Sequence, residues 1–446
     1  MSKPKVSQIS PARQAVIDTL TRQVRHEDEM PVLTLDVKKL TPRDAGLAVA
    51  IHRTCLQRWL TLRYLLKQCA HRWPRAMQPA LEAAMISGAA QLLFMDKMPA
   101  HAVVHDSVEI VKRRVRRQTA AYANAVLRRI ADLAAERHEH VGYQPSVTTL
   151  PWRDGYLKIS RPLLPPLKEL DRHRMVATSH PLMLTKRWRE QFGTEVSLEL
   201  LLHSLVNAPT IVRDAPDAPP PPAELAKPHE QAGFYVWQGD HDQLRSYLEA
   251  SPTRWVQDPA SAAPVGSTAS LEPGIIVDYC AGMGTKTRQL ALEHPKATIY
   301  ASDPDPHRLA ELERSFAGHP QVQVMEHGQL RGRVGEADLL VLDVPCSNTA
   351  VLARRLEARY RFNAETLESV TELQREIICE SAATLRPGGH LLYSTCSLEP
   401  EENQQQAQFA AEHLDATVQH EQQLLPSGTG TAYHDGSYHA LLTRRG

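Results

Sequence analysis

Two of the six cysteines stand where a strand would hand its residues to a loop. Cys346 closes Asp343-Val344-Pro345-Cys346-Ser347, which follows the apolar run LLVLD (339–343). Cys396 sits in Ser394-Thr395-Cys396-Ser397, which follows HLLYS (390–394). A thiolate is a strong nucleophile, and its formation is favoured by nearby positive groups or helix N-termini. Either cysteine alone would more often be a buried core thiol. Two at strand ends, beside an aspartate, favour chemistry. None of the six belongs to a C-x-x-C pair, which speaks against a disulfide framework and against zinc, so no metal is expected.

A third run, IIVD (275–278), leads into Asp278-Tyr279-Cys280-Ala281-Gly282-Met283-Gly284-Thr285-Lys286-Thr287. The glycines let the backbone pass close to a ligand, and a following helix offers free N–H groups. The G-x-x-x-x-G-K-[ST] phosphate cradle is absent, so ATP is not the expected ligand. TIYAS (298–302) delivers Asp303, about twenty residues beyond the loop, where an acid typically receives ribose hydroxyls. The plainer alternative is an exposed helix cap. Loop and acid together favour a nucleoside cofactor, bound through Cys280, Ala281, Gly282, Met283, Gly284 and Asp303.

The elements that must position these groups are short apolar strands alternating with helical patterns from about residue 255 onward, the signature of a doubly wound parallel α/β sheet. Ligands of such sheets sit beyond the carboxyl ends of the strands, so both cysteine loops are expected on one rim. Residues 9–135 read as all helix: Ile51, Cys55, Trp59 and Leu62 recur at helical spacing, as do Leu81, Met85, Gly88 and Leu92. Val108 to Ile130 reads as one helix carrying Lys112, Arg113, Arg114, Arg116 and Arg117, with Pro99 punctuating the chain before it. A polar connector (138–178) and a mixed stretch (179–250) follow, the latter interrupted by Pro216 and by Pro219 to Pro222. The expected domains are 1–140, 141–254 and 255–446. Residues 1–140 hold 23 Lys+Arg against 13 Asp+Glu, a net +10 balanced by −10 in the remainder. A basic front part suggests docking on a polyanion. The polar start and the absence of a long apolar run point to no leader and no membrane span, and reduced cysteines fit a cytoplasmic protein.

The chain resembles the Sun/nucleolar-protein family of RNA 5-methylcytosine methyltransferases. The resemblance is carried by VQDPAS (256–261), VDYCAGMGTKT (277–287), ASDPDPHRL (301–309), DVPCS (343–347) and RPGGHLLYSTCSLEPEEN (386–403). QLLFMDKMPAHA (91–102) and NAVLRR (124–129) are similar to the NusB-type RNA-binding helical domain, and residues 207–213 to the family's RNA-binding preamble. The implied fold class is α/β: a Rossmann-like S-adenosylmethionine-dependent methyltransferase domain preceded by an all-α NusB-like domain and a small mixed linker domain. The implied activity is methylation of carbon 5 of a cytosine in RNA, with 16S ribosomal RNA the substrate that this domain pairing implies.

By the same resemblance Cys396 attacks carbon 6 of the base, Cys346 assists release of the product, Asp343 holds the cytosine edge and Lys286 lies beside it. Lys286, Asp303, Arg308, Glu326 and Asp343 join the glycine loop around the cofactor. A lysine at a helix start with its head in water is the ordinary alternative for Lys286. Arg354, Arg355, Arg359 and Arg361, after the first cysteine loop, are candidates for gripping phosphates, against the ordinary reading of a solvated helix. The chain departs from the family at three places: Gly282-Met283-Gly284-Thr285 replaces a proline and two adjacent glycines, Glu326-His327-Gly328 stands where an acid usually meets the adenine, and Asn348 replaces a glycine. Rival readings are a transfer-RNA methyltransferase, a non-catalytic RNA-binding scaffold for ribosome assembly, and a transcription antitermination factor.

Overall fold

A computed structural model describes residues 9–446 except 75, 76, 97, 153, 216, 217 and 252. Pro216 and most of the polar start thus lie outside the described residues. The chain divides into two compact units, one of residues 1–206 with 355–362 and the other of 207–354 with 363–446. Residues 141–206 therefore group with the helical unit, and 207–254 with the sheet unit.

The first unit opens with six helices: α1 (Pro11–Arg25), α2 (Pro42–Gln57), α3 (Trp59–Cys69), α4 (Pro79–Phe94), α5 (Ala100–Arg114) and α6 (Arg117–Ala131). Every residue of α4 from Leu81 to Phe94 is buried, so this largely apolar helix is covered on every face, with its polar Glu82 and Gln91 taken up by Arg63 and Arg13. Gly88 lets α6 approach it: a Cβ there would stand 2.8 Å from Leu127. The stretch expected as one helix from Val108 to Ile130 is two, broken at Val115 (φ −114°, ψ −95°). No Pro or Gly announces that break. The three cations ending α5 complement its carbonyl end. The connector folds into a three-stranded antiparallel sheet of β1 (Ala134–His138), β2 (Thr149–Trp152) and β3 (Gly155–Ile159), in the order β1-β3-β2. Then come α7 (Leu170–Thr178) and α8 (Leu182–His203), the latter interrupted at Gly193.

The second unit starts with an antiparallel sheet of β4 (Ile211–Asp214), β5 (Ala226–Pro228), β6 (Phe234–Trp237) and β7 (Arg254–Val256), ordered β5-β6-β4-β7, with α9 (His241–Glu249) between β6 and β7. After α10 (Pro259–Gly266) the chain winds through β8 (Ile275–Asp278), α11 (Thr285–Glu293), β9 (Thr298–Ala301), α12 (Pro306–Ser315), β10 (Val322–Val324), α13 (His327–Arg331) and β11 (Ala337–Asp343). It leaves this unit for residues 355–362, which include α14 (Ala358–Arg361), and resumes with α15 (Ala364–Ser381), β12 (Leu385–Thr395), α16 (Gln404–His413), β13 (Ala416–Leu424) and β14 (Ser437–Arg444). The seven-stranded order is β10-β9-β8-β11-β12-β14-β13. The first five strands are parallel, and β14 runs antiparallel to both β12 and β13, so the sheet is mixed rather than wholly parallel. The strand order reverses between β8 and β11, and the crevice above that point is where such sheets bind ligands.

Arg354, at the end of the loop after β11, holds this unit together from within. Its guanidinium donates to Asp435, to Asp258 Oδ2 at 2.9 Å and to the Pro209 carbonyl at 2.9 Å. Asp258 also caps α10 through the Ala260 N–H at 2.9 Å. Burial, and then Asp435 nearby, pushes the Asp258 carboxyl up to about 6. Arg354→Ala leaves two buried carboxylates without their cation and is expected to cost about 3–5 kcal/mol. Urea unfolding at neutral pH checks this; the loss should shrink near pH 5, where Asp258 takes up a proton.

Candidate active site

β8 ends in a buried acid. Asp278 Oδ2 accepts from Thr287 Oγ1 at 2.7 Å, while its Oδ1 has no hydrogen-bond partner among the described residues. Burial drives this carboxyl up to about 7, with the Thr287 hydrogen bond opposing and Asp343 adding to the rise. The glycine loop then turns over the strand ends. Gly282 (φ +58°) has open space where a side chain would be, and Gly284 (φ +87°) packs so closely that a Cβ would lie 2.3 Å from the Phe316 ring. Asp303, at the end of β9, accepts the Gly282 N–H at 2.9 Å through Oδ2 and the Asp305 N–H at 2.9 Å through Oδ1. The loop, Asp278 and Asp303 form one cradle with acceptors at its floor and side.

Register then does for β11 and β12 what the sequence pattern suggests. Asp343 pairs with Ser394, so the residues just beyond them, Cys346 and Cys396, emerge side by side. Their sulfurs are 3.0 Å apart, and the Cys396 N–H points at Cys346 Sγ at 3.4 Å. Asp343 is held by the Lys286 ammonium on Oδ2 at 2.7 Å and the Ser394 hydroxyl on Oδ1 at 2.9 Å. Burial pulls the Lys286 pKa down, yet the charge and hydrogen bond of Asp343 outweigh it and the net shift is upward. The lysine is therefore a fixed cation inside the rim rather than a head in water; its side chain is only 13% exposed.

Both cysteine loops are tied to one buried carboxylate. Glu402 accepts the Ser347 N–H at 2.8 Å, the Ser347 hydroxyl, the Ser397 hydroxyl at 2.6 Å and Gln374 Nε2 at 3.2 Å. Direct bonds add to this: Ala350 N–H to the Cys396 carbonyl at 3.0 Å and Leu398 N–H to Thr349 Oγ1 at 2.9 Å. Asn403 accepts from Thr395 Oγ1 at 2.6 Å and donates to the Ser397 carbonyl at 2.9 Å. The Cys346 thiol is pushed well up, first by its hydrogen bond with Cys396, then by burial, then by the charges of Cys396 and Glu402.

Residues 268–440 match the family described as 16S rRNA methyltransferase RsmB/F, and residues 10–132 match the NusB family. The chain carries an RsmB/F-family methyltransferase domain behind a NusB-family domain. It is an S-adenosylmethionine-dependent methyltransferase. The ribosomal RNA small subunit methyltransferase B of Erwinia tasmaniensis is 27% identical over 443 residues, spanning 93% of this chain and 94% of that one. The protein of the same description from Vibrio cholerae is 26% identical over 432 residues, covering 92% and 91%. The crystal structure of PH0851 superposes with a TM-score of 0.69 at 20% identity over 98% of this chain and 99% of that chain, a likeness of fold.

The RsmB/F domain thus brings Cys346, Cys396, Asp343 and Lys286 to one rim, with Cys280, Ala281, Gly282, Gly284 and Asp303 around the neighbouring cradle. Other expected residues stand further out. Met283 is 67% exposed, and Arg308 is exposed with its guanidinium 3.9 Å from Asp303. Glu326 is exposed at the start of α13, while the next residue, His327, packs edge-on against Tyr279 at 4.4 Å. Two arginines expected to grip phosphates are engaged elsewhere. Arg354 bridges Asp258 and Asp435, and Arg359 is fully buried, donating to the Ser204 carbonyl at 3.1 Å within the first unit. Arg355 remains exposed. Not singled out in the sequence as site residues were Asp278, Ser394, Glu402 and Asn403. Asp278 is met by Thr287 on α11, Ser394 by Asp343 on β11, Glu402 by the two cysteine loops and Gln374 on α15, and Asn403 by β12, Ser397 and β13.

Asp278 has a pH signature. Its folded pKa, about 7, exceeds the ordinary 3.8, so the native state favours the protonated acid. Stability from this group is present below about pH 4 and is lost as pH rises through about 7. Asp278→Asn should stabilise the ligand-free protein by roughly 2–4 kcal/mol at pH 8 and hardly at all at pH 4, as read by thermal melts across pH.

Proposed function

We propose that the chain methylates carbon 5 of a cytosine in RNA, most naturally small-subunit ribosomal RNA, with Cys396 as nucleophile. The observation that carries this reading is the pair of sulfurs 3.0 Å apart on loops from two different strands, beside a lysine-clamped aspartate. One thiol would suffice for simple nucleophilic catalysis. Two within contact suit a reaction in which one sulfur bonds the substrate and the other helps free it.

The cradle fits S-adenosylmethionine. Gly282 leaves open space, Asp303 offers acceptor lone pairs to ribose hydroxyls, and the orphaned Asp278 Oδ1 asks for a donor or cation. When bound, the cofactor supplies an electrophilic methyl group. The protein's own part is to make carbon 5 nucleophilic. Cys396 adds through its thiolate to carbon 6 of the ring, which places electron density on carbon 5. Asp343, with both oxygens anchored but its side chain 35% exposed, holds the base edge by its remaining lone pairs. Lys286 fixes that carboxylate through its hydrogen bond to Oδ2 at 2.7 Å. Release then breaks the carbon 6–sulfur bond, Cys396 leaving as the thiolate, as carbon 5 gives up its proton to a base. Cys346, 3.0 Å from Cys396, is placed for that role once it has lost its own proton, which its contact with Cys396 and its burial retain in the resting site. The target base must be unstacked for a thiol to reach its face, which favours a single-stranded or extruded nucleotide. A reducing cytoplasm keeps both sulfurs available.

The test incubates the protein with radiolabelled S-adenosylmethionine and small-subunit ribosomal RNA, naked and protein-bound, beside Cys396→Ala and Cys346→Ala. Wild type should place label in 5-methylcytosine. Cys396→Ala should lose it entirely, and Cys346→Ala should accumulate a covalent RNA adduct resistant to denaturation. Label on transfer RNA instead would keep the chemistry and move the substrate. No label on any RNA, with no cofactor binding by calorimetry, would leave a scaffold.

A further inference from the structure

We propose that Asn348 is a further residue of the reaction centre: its side-chain carbonyl holds the S–H of Cys396 in the resting enzyme and so governs how readily that sulfur becomes a nucleophile. This rests on Cys396 being the nucleophile. Asn348 occupies a left-handed backbone position (φ +62°, ψ 24°), which glycine adopts freely and asparagine tolerates better than most residues. The backbone therefore accounts for the glycine that the family usually has here. It does not account for what the asparagine side chain touches.

That side chain reaches both cysteines. Its Nδ2 donates to the Cys346 carbonyl at 2.7 Å, and Cys396 Sγ donates to its Oδ1 at 3.4 Å. The Cys346 carbonyl settles the orientation: turning the amide over would set two acceptor oxygens against each other at that distance. Oδ1 must then face the sulfur, and Oδ1 can only accept. The protons of the pair follow. The Cys396 S–H donates to Asn348 Oδ1, the Cys346 S–H is directed toward Cys396 Sγ, and the Cys396 N–H closes the set on Cys346 Sγ. The charged groups acting on this pair are Lys286, with Asp343 clamped to it, and Glu402 behind Cys346. An acceptor on the neutral thiol disfavours its ionisation. Asn348 thus holds the nucleophile in reserve, a restraint that a glycine here would not supply.

The measurement is alkylation of Cys396 by iodoacetamide from about pH 6 to 10, followed peptide by peptide by mass spectrometry, on the full chain without RNA or cofactor. In Asn348→Gly the pH of half-maximal rate should fall by about half to one unit, while the limiting rate at high pH is unchanged. At neutral pH this is roughly a three- to tenfold faster reaction. Asn348→Asp adds a charged acceptor and should move the midpoint the other way. A higher limiting rate with an unmoved midpoint means that the side chain merely shields the sulfur, and overturns the proposal. Both variants moving in the same direction overturns it too. Because alkylation needs neither substrate, a wild type that methylates no RNA would sink the proposed function while leaving this result readable.

Discussion

The carboxylate of Glu402 is the constraint on which the rim depends. Adjacent strands lie about 4.8 Å apart, so the register of β11 and β12 alone delivers their loops as neighbours, not two sulfurs in contact. Closing that gap takes a group that can accept from both loops at once. An ionised carboxylate has about four lone-pair sites and no proton to place, which suits a site offering the Ser347 N–H, two hydroxyls and the Gln374 amide. Burial opposes the charge and raises its pKa, while hydrogen bonds from Ser347 and Ser397 oppose that rise. The balance is typical of a buried ion that survives because its lone pairs are filled.

The same charge separates the two thiols chemically. Glu402 acts on Cys346, whose proton is already retained by its contact with Cys396 and by burial. Lys286 feels Cys396. Glu402 thus bears on Cys346 in particular, although the two sulfurs lie 3.0 Å apart. Two identical side chains in contact need such an asymmetry if only one is to ionise first, because a second charge on the neighbour would be repelled.

How much of this could be read from the sequence depends on where each residue's partners lie. The four strands beneath the site were legible because they are buried on both faces and so appear as unbroken apolar runs, as in β11 from Ala337 to Asp343. The ends of those runs at Asp278, Asp343 and Ser394 followed from that, although β12 continues to Thr395 and the bonds that bring Asp278 and Ser394 into the site did not show. β13 was not legible: it is an edge strand with much of its length exposed, and ATVQHEQQL carries no alternation to betray it. The three-residue β10 was too short to give a pattern. Glu402 was hidden in Glu399-Pro400-Glu401-Glu402-Asn403, a stretch whose composition reads as solvated. Glu399, Glu402 and Asn403 are nevertheless fully buried, because their partners come from the two cysteine loops and from β13.

The arginines after the first cysteine loop carry the same lesson into function. A cluster of Arg354, Arg355, Arg359 and Arg361 looks like a phosphate grip only while its carboxylates and its burial are out of sight. Arg354 is neutralised by two aspartates, and Arg359 has no surface to offer. A guanidinium already paired adds little to counterion release, the term that dominates binding to nucleic-acid backbones. In contrast, Lys112, Arg113, Arg114, Arg116 and Arg117 are all exposed around the break between α5 and α6, although Lys112 and Arg114 pair with Glu109 and Asp18. Surface ion pairs of that kind are weak and yield readily to a polyanion. The five cations around that break therefore remain available to a phosphate backbone, whereas the Arg354 and Arg359 charges of the second cluster are consumed in holding the fold.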